Sequence, residues 1–112
     1  MAEVIFPFDT EKLFEKCVKN NQFPRNDFQK QAVLLRLVAL FEDGKKYSEV
    51  EVGEIMKEFF DDTALIRREL FNFGYMQRDP RTSEYWVVKR TLSEDDLKKI
   101  ASLQRHAKAY GF

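Results

Sequence analysis

The chain has 112 residues, 44% of them hydrophobic and 34% charged, with 19 basic and 19 acidic side chains and a formal net charge of zero. That size and composition fit one globular domain, taken as residues 1–112, with a modest core, and exclude a disordered chain. A balanced charge argues against strong sequence-independent nucleic-acid binding, which rests on phosphate neutralisation.

Asp9 is placed to cap a first helix over about residues 10–20, where Leu13, Phe14, Cys17 and Val18 form an apolar stripe. Asn20 to Pro24 breaks it, and Pro24 holds Phe23 extended. A second helix is predicted from about Asp27 to Phe41. It is apolar nearly all round, the pattern of a central buried helix, and Gly44 suits a left-handed cap beyond it. Lys45-Lys46-Tyr47 reads as a very short extended segment. Ser48 and Glu51 form a capping box for a third helix, with Val52, Ile55, Met56 and Phe59 facing inward. Asp61 or Asp62 caps a fourth helix over about Thr63 to Phe73, with Ile66, Leu70 and Phe73 inward and Gly74 as its stop.

Residues 75–78 and 84–88 have strand character, and Asp79-Pro80-Arg81-Thr82-Ser83 between them is a turn-forming loop, so a β-hairpin is expected. Ser93 opens a last helix over about residues 94–109. From residue 27 to 88 the order is helix, short strand, helix, turn, helix, strand, loop, strand. The expected fold is therefore α+β, mainly helical. It has a winged-helix-like three-helix core (residues 23–90) with a β-hairpin wing and additional N- and C-terminal helices. Leu35, Ile55, Ile66, Leu70 and Trp86 are predicted to be buried and mutually packed.

Several residues also carry a family resemblance: Phe23-Pro24-Arg25, Tyr47-Ser48-Glu49, Glu51-Val52, Asp61-Asp62, Arg67-Arg68-Glu69-Leu70, Gly74, Arg78 and Tyr85-Trp86. On these, the region Phe23 to Trp86 resembles domain of unknown function 2087, an uncharacterised bacterial and archaeal family. Gly53 stands where an Asn is expected and Phe60 where a His or polar aromatic is expected. The resemblance implies a winged-helix-like fold. It also implies a role near transcription, since members look fused to arsenic-repressor-type regulators. It implies no reaction.

The fourth helix occupies the place of a recognition helix. Thr63, Arg67 and Arg68 on it, with Arg78 and Arg81 on the wing, are the candidate nucleic-acid contacts, because arginines there meet phosphate or guanine. Against this, residues 61–90 hold six basic side chains and five acidic ones. The competing reading has the α4 arginines solvated or paired with Asp61, Asp62 and Glu69, and Arg78 paired with Asp79, Glu84 or Glu69. Leu65 and Phe71 suit a protein contact, with a homodimer or a partner regulatory protein, unless the first or last helix covers them. Tyr85 and Trp86 could serve as a base-stacking platform, but strand alternation sends them to opposite faces. Trp86 is expected in the core, and ordinary strand packing is favoured for Tyr85 over a role as a surface aromatic.

Catalysis needs a nucleophile, a base and an orienting partner, and the chain offers no such set. His106, the only histidine, reads as a surface residue, and Cys17, the only cysteine, as an inert core thiol. One Cys and one His make no zinc site and no disulfide, so no metal, cofactor or catalytic residue is expected. No apolar run approaches the roughly 18 residues of a membrane span, and Met1-Ala2-Glu3-Val4 does not open like a signal peptide. A cytoplasmic protein without a membrane partner is expected. The expected function is a non-catalytic module associated with transcriptional regulation, contacting DNA weakly or as part of an oligomer. The alternative is a protein–protein interaction domain on the same scaffold without DNA contact. A small enzyme or ligand sensor is a more distant third.

Overall fold

The computed structural model of the chain describes residues 3–111. Among these, the elements run α1 (Thr10–Asn20), α2 (Asp27–Val38), α3 (Glu49–Met56), α4 (Thr63–Asn72), β1 (Met76–Arg78), β2 (Tyr85–Val87), α5 (Glu94–Lys99) and α6 (Ala101–Lys108). The fold is α+β, six helices with a two-stranded antiparallel hairpin.

Local chemistry sets most helix ends. Asp9, Asn26 and Asp62 each accept backbone N–H groups at the starts of α1, α2 and α4. Ser48 and Glu51 form a reciprocal capping box on α3, as Ser93 and Asp96 do on α5. At the end of α4, Gly74 adopts φ +80°. Its N–H donates to the Phe71 carbonyl and the Tyr75 N–H to the Leu70 carbonyl, a pairing that needs a left-handed residue. Asn21, at φ 49°, closes α1 in the same way.

Helix α2 stops at Val38, earlier than expected, because the chain tightens into a turn there. Phe41 still buries its ring beyond that end. The last helix is two helices, broken at Ile100, whose extended backbone (φ −122°, ψ 119°) lets α6 fold back on α5. Tyr47 exchanges two backbone hydrogen bonds with Tyr85, 2.8 and 2.7 Å, so the segment before α3 lies beside β2 as a one-residue third strand.

Two apolar clusters fill the interior. The larger joins α1 to α4 and the hairpin through residues such as Leu34, Leu37, Val52, Met56, Ile66, Leu70 and Tyr85. In the smaller, Phe28 of α2 meets Leu92, Leu97, Leu103 and Ala107, with Phe6, Phe8 and Tyr110 around them. Leu35 and Phe73 pack against both clusters and make the interior continuous. Ile66 and Leu70 are fully buried, as expected, but Leu35 and Ile55 are only half-buried. The hairpin corrects one expectation: Trp86, expected in the core, is half-buried, and Tyr85 is the buried member of the pair. Pairing with Tyr47 fixes the register, which turns Tyr85 inward, and alternation then sends Trp86 outward beneath the Lys46 ammonium.

Candidate interaction surface on α4 and the hairpin

Helices α1 and α6 both pack against α2 and leave the outer side of α4 open. Ala64, Arg68, Phe71 and Asn72 are exposed along it, a spacing of i, i+4, i+7 and i+8 that makes one stripe. Neither flanking helix covers Phe71, which keeps 44% of its surface exposed. Leu65 is half-buried for a different reason. It lines a cleft of about 410 Å³ with Phe23, Pro24, Phe60 and the cap residue Asp62. Beside that cleft, Asn21 and Asp61 exchange two hydrogen bonds of 2.8 and 2.9 Å. Asp62 is therefore the cap, while Asp61 ties the α3–α4 turn to the end of α1.

The five candidate nucleic-acid residues divide. Arg68 projects to solvent from the stripe. Thr63, half-buried, faces Gly53 of α3, where an added Cβ would lie 3.5 Å from its hydroxyl. Arg67 is half-buried, with its guanidinium 5.9 Å from the centre of the Tyr85 ring. Arg78 does not pair with Asp79, Glu84 or Glu69. Glu69 is taken by Lys30 at 2.9 Å, and Arg78 reaches instead to Glu49 of α3 at 3.3 Å and to Ser83 at 2.8 Å. Arg81, with 89% of its side chain exposed, lies 4.0 Å from Asp79. Arg67, Arg78 and Tyr85 thus meet where α4 joins the hairpin, and Arg68 and Arg81 lie exposed on the two elements.

Glu49 and the buried Tyr85 ring adjoin this surface, a placement with the arginines that no local pattern in the sequence shows. Both stand among the residues of the family resemblance, but only the Tyr47–Tyr85 pairing brings them to the arginines. His106 is also placed differently from expectation. It is half-buried, and its Nδ1 accepts the Asp27 N–H at 2.8 Å, so it joins α6 to the start of α2. Cys17 is buried as expected, and that burial pushes its thiol pKa up. No described helix is long and apolar enough to cross a membrane.

Residues 21–87 match the model of a family described as uncharacterised proteins conserved in bacteria, domain of unknown function 2087. The match runs from the residue that follows α1 through the hairpin and leaves out α1, α5 and α6. No curated protein and no solved structure matches the chain.

Proposed function

The chain belongs to the bacterial family of domain of unknown function 2087, and on that premise we propose that it is a non-catalytic, winged-helix-type module of transcriptional regulation. It contacts DNA weakly, through the outer side of α4 and the hairpin. The observation that carries this reading is the open stripe on α4 with Arg68 projecting from it, next to a hairpin whose tip carries the exposed Arg81. In a winged-helix arrangement these two elements face the duplex, the helix toward a groove and the wing toward the backbone. Weak binding follows from charge. The chain is neutral overall, and Asp61 and Asp62 stand exposed at the start of the same helix.

Fluorescence anisotropy with labelled duplex tests this. Arg68→Ala or Arg81→Ala should each weaken binding and reduce the salt slope by about one. Tight binding by the wild type at physiological salt would contradict the charge argument, and equal binding by both variants would contradict the assignment of the surface.

Phe71 favours a second reading, a protein contact on the same stripe, since an exposed aromatic commonly anchors an interface. Sedimentation decides whether that partner is a second copy. Phe71→Ala should abolish self-association without loss of fold. Identical monomeric behaviour of wild type and variant would remove the homodimer.

A further inference from the structure

Arg67 from α4 and Arg78 from β1 each place a guanidinium 5.9 Å from the centre of the same ring, that of Tyr85 on β2. One carboxylate reaches Arg78 and the Tyr85 hydroxyl. Glu49, in the first turn of α3, accepts from Arg78 Nε at 3.3 Å and from the Tyr85 hydroxyl at 3.4 Å. Arg67 takes part in none of the ion pairs among the described residues, so the junction carries two cations against one anion. Ser83 holds Arg78 from the other side, accepting from Nη2 at 2.8 Å, which fixes the direction of the guanidinium.

We propose that this junction of Arg67, Arg78 and Tyr85 is an oxyanion site that receives a phosphate of the DNA backbone, and that Glu49 occupies it in the unbound protein. The choice of DNA as the source of the phosphate rests on the reading above. The oxyanion site itself does not. Guanidinium forks match the oxygens of a phosphate, and the phenol supplies a further donor. Glu49 is held by contacts that are easily exchanged. Its side chain is 38% exposed and that of Arg78 32%, so solvent and an incoming anion reach both. Phosphate binding displaces the carboxylate without breaking any covalent bond. Glu49 then swings into water, where its charge is solvated.

The test uses the full chain carrying Glu49→Gln, with circular dichroism to verify its fold. The first probe is inorganic phosphate, followed at the arginine Nε–H signals by NMR. The second is a short DNA duplex, followed by anisotropy over a range of salt. In Glu49→Gln, phosphate should shift the Arg67 and Arg78 signals together. The duplex should bind about fivefold tighter than to wild type, the upper end of what an exposed ion pair withholds. The salt slope should steepen by about one. Adding Arg67→Ala should cancel both gains. Absence of a phosphate-dependent shift at these arginines in Glu49→Gln would overturn the site. Duplex binding that Glu49→Gln does not tighten would overturn the role of Glu49 and leave the DNA reading intact. Phosphate shifts with no duplex binding by either protein would keep the oxyanion site and overturn DNA as its source.

Discussion

Leu70 has no exposed surface and sits on the inner side of α4 with Ile66, within the larger cluster. Truncating it to Ala should cost about 2–5 kcal/mol, the range for a buried Leu that leaves a cavity. Chemical denaturation measures this, and unchanged stability would mean that α4 faces the other way. Its burial was legible because helical spacing aligns it with Ile66. Tyr85 and Trp86 were not legible in that way. Alternation says only that they face opposite sides, and the choice between them was made by the Tyr47 pairing, a contact 38 residues distant in sequence. Gln31 is a similar case. It is a fully buried polar residue, satisfied because its amide oxygen accepts from the Tyr75 hydroxyl at 2.7 Å and its amide nitrogen donates to the Asp27 carbonyl at 3.0 Å. Nothing local in the sequence marks it as interior.

At the scale of elements, caps were the most readable feature, since a cap is a contact between residues two or three apart. Ser48 with Glu51, and Asp9, Asp62 and Ser93, all act where the sequence places them. The break at Ile100 was hidden because no glycine or proline marks it. Its side chain instead packs into the smaller cluster as the backbone extends. The attachment of α5 and α6 also depends on carboxylates. For Asp27, burial raises the pKa, but hydrogen bonds from Ser102 of α6 and from Lys30 more than offset it, and the net shift is downward. For Asp96, burial again raises it, while the Ser93 backbone N–H and Lys89 bring it below its ordinary value. A carboxylate with a lowered folded-state pKa stabilises the fold above its unfolded pKa, about 3.9, and loses that contribution as pH falls through the folded value. Acidification below about pH 4 should therefore loosen α5 and α6 before it loosens α4. Amide protection, corrected for intrinsic exchange, should fall first over residues 101–108. Simultaneous loss over residues 63–72 would contradict this.

The whole molecule is organised around α2. The terminal segments pack against it, α1 in the larger cluster and residues 4–8 with α5 and α6 in the smaller. They thicken the interior on that side and leave α4 and the hairpin facing solvent. The order of elements in this unit was readable from the sequence, but the openness of the α4 stripe was not, because an amphipathic pattern does not reveal which neighbour covers which face. The arginines are legible in the sequence as basic residues on a helix and a hairpin. Their division into an exposed pair and a pair gathered around Tyr85 came only from the register of the hairpin. Mapping backbone amide shifts during titration with a DNA duplex tests the assignment of this surface most directly. The account predicts that shifts concentrate at Ala64, Arg68, Phe71 and Asn72 and over residues 78–86. Shifts confined to α5 and α6, or none at duplex concentrations well above that of the protein, would contradict it.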